Sequence, residues 1–420
     1  MQAAFPPKKD LSALIWIGNG QIVLPDRIHK NGSVLVQNGR IIAINVPRPE
    51  EAAFYNARGG TILPGFIDLH LHGGGGADFM DADPKSFATI AYVHCQHGTT
   101  AMCPTTMTCE TERLEKVIHA YLNALEQPVY GAEFLGLHLE GPYLSVEARG
   151  AQPIVSQRIP TREALEHIIR LGKGHILRWD AAPELPNADV FAEVMREHGI
   201  VVSAAHTNAT ADQAMAAFDR GFTHITHFYC GTSSGRKINR IPQSGINEAA
   251  FLRDDISTEL IADGRHVPKE HMLVARRLKG ADNIALITDA MRAAGTNDCQ
   301  SVLGAKDSGV PVVISEEVAQ LPDYSSYAGS IGTMDRALRV AHIWYGIPLI
   351  ETSRMLSLTP ARLMHCEGRK GSLEKGKDAD IVIMDNKFVV QQVFVGGVPY
   401  IKHNSLPAAT RAEEFIEGSI

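Results

Sequence analysis

Short apolar runs recur down the middle of the chain, at about residues 62–70, 99–103, 134–140, 175–179, 200–206, 223–227, 257–261 and 284–289. Most are separated by stretches with a helical pattern, such as K-S-F-A-T-I-A-Y-V-H-C-Q-H and T-R-E-A-L-E-H-I-I-R-L. Strands that alternate with helices predict parallel βαβ units, and eight such units predict an α/β chain closed into a (β/α)8 TIM-like barrel. Both ends have a different texture. L-I-W-I-G-N-G-Q-I-V-L and G-S-V-L-V-Q-N-G-R-I-I-A-I near the start, and D-A-D-I-V-I-M-D and Q-Q-V-F-V-G-G-V-P-Y-I-K near the finish, read as strands. Asn-Gly in each of the first two runs predicts hairpin turns. The β-rich ends are expected to pair into one small β-sandwich. Residues 1–62 then form its N-terminal part, 63–365 the barrel, and 366–420 its C-terminal part and a tail. The tail A-T-R-A-E-E-F-I-E-G-S-I predicts a short exposed or frayed helix.

Composition narrows the function class only slightly. The hydrophobic share of 45% and charged share of 21% are those of an ordinary globular protein. A net charge of -7 offers no general basic footprint for nucleic acid or an anionic membrane. No apolar run reaches the roughly 20 residues that span a bilayer. The first ten residues, M-Q-A-A-F-P-P-K-K-D, lack a secretory pattern. Six scattered cysteines without a CxxC pair suit a reducing cytoplasm and argue against disulfides and a thiolate zinc cage. The expectation is a cytoplasmic chain with neither nucleic-acid nor membrane partners.

The chemistry starts at T-I-L-P-G-F-I-D-L-H-L-H-G-G-G-G, residues 61–76. A strand has a side-chain period of two, so Asp68, His70 and His72 share one face. The later runs end in the same manner: L-H-L-E in Glu140, S-A-A-H in His206, T-H-I-T-H in His227 and L-I-T-D in Asp289. A single histidine at a strand end is more often a hydrogen-bonding group than a ligand. Six such groups at one end of a closed barrel must share a small volume, where burial is costly without a cation. Imidazole and carboxylate donors suit zinc, iron, manganese or cobalt. The expected site holds one or two divalent metals, zinc first. His70 and His72 take one, His206 and His227 the other, and Glu140 bridges them. Water activated there would attack an amide, with Asp289 accepting its proton. The four glycines lack the GxxxxGK[ST] pattern of a nucleotide loop and predict a sharp turn. Arg236, Lys237, Arg240, Arg265 and His266 follow strands six and seven, where barrels commonly bind phosphate.

With those residues placed, the chain resembles the amidohydrolase superfamily, and within it the N-acetylglucosamine-6-phosphate deacetylases. The resemblance rests on L-G-L-H-L-E-G-P-Y-L, I-A-D-G-R-H-V and L-I-T-D-A, with the terminal L-T-P-A-R-L-M-H-C-E-G-R-K-G-S-L-E-K-G-K-D-A-D-I-V-I-M-D shared more widely. It implies removal of acetate from the 2-acetamido group of a sugar 6-phosphate, the galacto epimer being the nearest variant. Metal ligation falls on Glu140, His206 and His227, and acid–base catalysis on Asp289. Substrate contacts fall on Asp263, Gly264, Arg265 and His266 of A-D-G-R-H, and on a loop that includes Ala328 and Gly329. Three positions depart from the pattern. Gln152, after Ala151 in R-G-A-Q-P, stands where the family has a histidine that polarises the amide. Cys230-Gly231-Thr232 replaces N-A-M. Arg236, matched to an arginine that reaches the phosphate from a neighbouring subunit in a homodimer, follows a shorter spacer. Rival readings are hydrolysis of another small N-acyl compound, such as an N-acyl amino acid, and a silent scaffold; the intact set of six donors speaks against the latter.

Overall fold

The computed structural model describes residues 11–127, 131–153 and 159–401, so the predicted tail helix lies outside the described residues. Eight short strands in the middle of the chain run parallel. They are β1 (Phe66–Leu71), β2 (Thr99–Pro104), β3 (Leu137–Leu139), β4 (Ile176–Ala181), β5 (Val201–Ala204), β6 (His224–Ile225), β7 (Ser257–Ile261) and β8 (Ile284–Ile287). β3 to β8 are neighbours in one sheet, while β1 and β2 form a second with Glu133–Phe134. Isolated parallel bridges, Leu71 to Ala290 and Thr105 to His138, join the edges of the two. The parallel sheet is therefore curled, with its strand ends gathered on one side.

Helices α1 (Pro84–Cys95), α2 (Thr111–Leu125), α3 (Arg162–Leu171), α4 (Ala188–Glu197), α5 (Ala211–Arg220), α6 (Ile246–Phe251) and α7 (Lys269–Lys279) lie between successive strands. Each turns its apolar residues inward, as Leu114, Val117, Ile118 and Tyr121 do in α2. Starts are marked by side-chain caps: Asp83 accepts from Lys85 N, and Thr210 and Gln213 form a reciprocal capping box. Aromatic side chains fill the layer between helices and sheet, with Trp179 and Phe191 edge-on at 5.8 Å.

Strands from both chain ends meet in one mixed sheet. Thr61–Pro64 runs antiparallel to Ile381–Met384, and Ile15–Val23 antiparallel to Ile28–Gln37. Its own core contains Ile17, Ile22, Val34, Ile62, Ile381, Ile383 and Phe394. Asn38-Gly39 makes the expected tight turn, with φ of 51° and 74°. Asn19-Gly20 does not. Ile15–Val23 continues through it as one strand with a bulge. Gly59 N and Ala57 N bond to Asn19 O and Gly18 O, so neighbouring backbone stitches the irregularity in place and no hairpin closes there.

Candidate functional site

The strand ends deliver the donors by one local device. His206, His227 and Asp289 lie just beyond β5, β6 and β8, with φ of 42°, 29° and 50°. A left-handed residue breaks the pleat and turns its side chain over the strand end; His and Asp tolerate this conformation better than most residues. Gly231 is held at φ 61° beneath His206, where a Cβ would lie 2.9 Å from His206 Nδ1. The four glycines after β1 do form a turn: Gly73–Gly74 pairs with Ala77–Asp78 across Gly75 and Gly76, both at positive φ.

Glu140 sits at the centre and is buried. Its Oε1 lies 2.9 Å from both His206 Nε2 and His227 Nε2. Its Oε2 lies 3.3 Å from His72 Nε2 and 3.7 Å from His70 Nε2. Asp289 Oδ1 faces the same two nitrogens at 3.2 and 3.4 Å. His70, Glu140 and His227 form one possible metal-ligating group, and His70, His72 and Asp289 another.

Hydrogen-bond accounting tests whether a cation fits. His206 Nδ1 is 2.8 Å from Ala148 O, and His227 Nδ1 is 2.8 Å from Cys230 O. A carbonyl only accepts, so each Nδ1 carries the proton and each neutral ring turns the lone pair of its Nε2 toward Glu140. Lone pair facing carboxylate is repulsive unless a proton or a metal ion lies between. The donor set fits a divalent cation. Without one, protons take its place. Burial lowers the affinity of His70, His72 and His206 for a proton, yet Glu140 outweighs it at all three, joined by Asp289 at His70 and His72, and holds them above the ordinary imidazole value. Burial raises Glu140 and Asp289, and the imidazoles override it, keeping both below the usual carboxylate range.

A cavity of about 230 Å3 opens over this cluster. It is lined by His72, Glu140, Ala151, Gln152, His206, His227, Cys230, Gly231, His266, Asp289 and Gly329, with Tyr327 and Leu303 among the added walls. Gln152 is fixed at both ends. Its Oε1 accepts from Thr108 N at 2.9 Å, and its Nε2 donates to Glu140 Oε2 at 2.7 Å. His266 points its Nδ1 at Asp263 Oδ2, 2.7 Å away. Burial works against its proton, and Asp263 more than restores it.

Other expected residues stand apart from the cavity. His70 lies behind His72 and is fully buried. Asp263 and Gly264 support His266 and Trp344 from outside the lining, and Ala328 is buried beside Gly329. Arg265 faces Glu317 at 3.6 Å, and Arg236 donates its Nη2 to Asn208 O. Neither arginine lines the cavity, because each is engaged at the loop that carries it.

A second polar layer underlies the donors, and the sequence pattern alone does not assign it to the site. Arg178 of β4 pairs with Glu259 of β7, and Glu259 Oε2 lies 3.4 Å from His70 Nδ1. His138 Nε2 meets Asp180 Oδ2 at 2.9 Å while its Nδ1 meets Thr105. His138 is thus a satisfied core histidine. Arg178 and Glu259 touch across strands that are not neighbours, which puts them on the concave face of the sheet. Branched apolar residues usually fill that space in a barrel. The signal was present: L-R-W-D-A and S-T-E-L-I carry charged residues inside apolar runs.

Comparison with known proteins follows the same outline. Residues 61–399 match the model of the amidohydrolase family. An N-acetylglucosamine-6-phosphate deacetylase of Lysinibacillus sphaericus is 35% identical over 347 residues, 83% of this chain and 87% of the relative. An N-acetylgalactosamine-6-phosphate deacetylase of Escherichia coli O157:H7 is 32% identical over 366 residues, 86% of this chain and 93% of the relative. The crystal structure of N-acetylglucosamine-6-phosphate deacetylase from Pasteurella multocida superposes with a TM-score of 0.85 at 30% identity, covering 92% of this chain and 100% of that one.

Proposed function

Because the chain belongs to the amidohydrolase family, we propose that it is a metal-dependent deacetylase of an amino-sugar phosphate. The reaction cleaves the 2-acetamido group of N-acetylglucosamine 6-phosphate, or of its galacto epimer, to acetate and the amino-sugar 6-phosphate. One observation carries this reading: Glu140 divides its oxygens between two pairs of imidazoles, with Asp289 beside them and the cavity above. A bound divalent cation supplies Lewis acidity toward water and toward an amide carbonyl. His70, His72 and Asp289 would hold one ion, and Glu140, His206 and His227 the other; their donors suit zinc first, with iron, manganese or cobalt as alternatives.

The remaining work falls to the chain's own side chains. Asp289 takes a proton from water as its oxygen bonds to the acetyl carbon, and delivers it to nitrogen as the C–N bond breaks. Gln152 spends one Nε2 hydrogen on Glu140 and has a second for the amide carbonyl, in a tautomer-free arrangement fixed by Thr108 N. His266, braced by Asp263, would contact the sugar. Ala151, Cys230, Gly231 and Gly329 wall the pocket, and Gly264, Arg265 and Ala328, outside that lining, are assigned to the substrate-binding loops. Phosphate recognition is assigned to Arg236 of the partner subunit in a homodimer, since Arg236 lies outside its own chain's cavity. The curled strands are taken as a closed (β/α)8 barrel over residues 63–365. Residues 1–62 and 366–420 then make the small sandwich. No helix among the described residues is long and apolar enough to cross a membrane, and the reading includes a cytoplasmic location.

The test is acetate release from both sugar phosphates, their unphosphorylated forms and N-acyl amino acids, with metal-loaded and chelated protein. Turnover restricted to phosphorylated sugars and abolished by chelation is expected. Faster hydrolysis of N-acyl amino acids overturns the substrate assignment.

A further inference from the structure

The four imidazoles around Glu140 are not held alike. His206 and His227 are oriented by main-chain carbonyls, which carry no net charge. Among the described residues, His72 Nδ1 has no hydrogen-bond partner. His70 alone turns its Nδ1 toward a carboxylate, Glu259, at 3.4 Å. That carboxylate is fully buried. Arg178, also buried, holds both of its oxygens, Nη1 bonding to Oε1 and Nη2 to Oε2 at 3.1 Å. His224 Nε2 stands 3.5 Å from the other oxygen.

We propose that Glu259, clamped by Arg178, is a positioning residue that fixes the His70 ring for metal binding in the His70–His72–Asp289 pocket. Glu259 is an acceptor, so it selects the tautomer with hydrogen on Nδ1 and leaves Nε2 free to face Asp289 and Glu140. Its negative charge makes that Nε2 a stronger base than a carbonyl partner would. Arg178 gives the carboxylate a permanent counter-ion, so Glu259 remains ionised without drawing a proton from His70. The consequence is an asymmetry between the two groups of donors: the Glu140–His206–His227 set needs no second carboxylate, whereas the His70 set depends on one. The inference rests on the reading of this cluster as a metal site, but not on the identity of the substrate.

Apoprotein is titrated with Zn2+ alone, following affinity and stoichiometry by calorimetry and metal content, and the His70 tautomer is read from ring 15N shifts. Wild type is expected to take up two ions per chain. Glu259→Gln should weaken one of them about 10- to 100-fold and leave the other unchanged. The His70 shifts should move from the single Nδ1–H form to a mixture, and Glu259→Asp should restore part of the affinity. If Glu259→Gln fails to fold, the pair Arg178→Met with Glu259→Gln, which removes both charges together, is read the same way. Two ions bound with unchanged affinity in either variant overturns the proposal, as does equal weakening of both. Absence of any tight Zn2+ binding by wild type sinks the metal-site reading itself and this inference with it.

Discussion

Two buried clusters of charge sit in this molecule, and they are built on opposite principles. Beneath the terminal sheet, Lys370 Nζ meets Asp380 at 2.6 Å, Glu133 at 2.8 Å and Asp378 at 3.2 Å. Arg369 adds a bond of 2.6 Å to Asp378, and Arg40 another of 2.7 Å. Every carboxylate there faces a permanent cation, and the ties run from the terminal sheet to the strand Glu133–Phe134 of the curled sheet. Among the described residues, no lysine and no arginine contacts Glu140. Imidazoles and carboxylates point at one another there, and a proton or an ion taken from solution would supply the positive charge between them. The first cluster is complete as folded and holds two parts together. The second is incomplete without a cation, which is the mark of a working site. Arg178 and Glu259 stand between the two cases, compensated in themselves and bonded to a donor of the incomplete set.

Removing one group from each cluster tests the contrast most strongly. Asp289→Asn should lower turnover by about 10²- to 10⁴-fold while the ion assigned to Glu140, His206 and His227 stays bound. Unchanged turnover removes the proton-transfer role. Lys370→Met should leave metal content and the turnover of folded protein intact but cost about 3–5 kcal/mol of stability, because it strands the buried Asp380 carboxylate. Urea unfolding measures this; a loss of metal instead would mean that the clusters are not independent.

His94 sharpens the comparison from a third side, as a buried group with neither cation nor metal. Its Nε2 lies 2.9 Å from Gly73 O, and burial pushes the ring down from its ordinary 6.5 to about 4. The unfolded chain therefore binds a proton that the native state refuses. Stability should be full above about pH 6.5 and fall as pH drops toward about 4, by up to about 3 kcal/mol from this residue. His94→Gln should remove that part of the pH dependence; an identical profile in the variant counts against it. The smallest effect belongs to a half-buried charge. Arg236→Ala should raise KM for phosphorylated substrates about 10-fold and leave unphosphorylated ones unaffected, the scale of one charged hydrogen bond. Equal changes for both would remove Arg236 from phosphate recognition.

The donors were legible because each is announced by its own strand. A period of two puts His70 and His72 on one face, and a polar residue just past an apolar run marks a strand end in a parallel sheet. The same local logic misled at Asn19-Gly20, where the turn signal is overruled by the neighbouring backbone of residues 57–59. Arg236 and Arg265, expected near the ligand, contact Asn208 and Glu317 of their own chain.

The order of apolar runs, the turn at Asn38-Gly39 and the identity of the six donors follow from the chain alone, since they depend on neighbours within a few residues. Only the folded molecule decides that Arg178 finds Glu259 across three strand positions, that Gln152 is pinned between Thr108 and Glu140, and that His138 is spent on Asp180. Such pairings join residues 12 to 81 positions apart. Local periodicity tells which face a side chain takes, but the curl of the sheet chooses what stands opposite, and it is the opposite group that sets charge, tautomer and role.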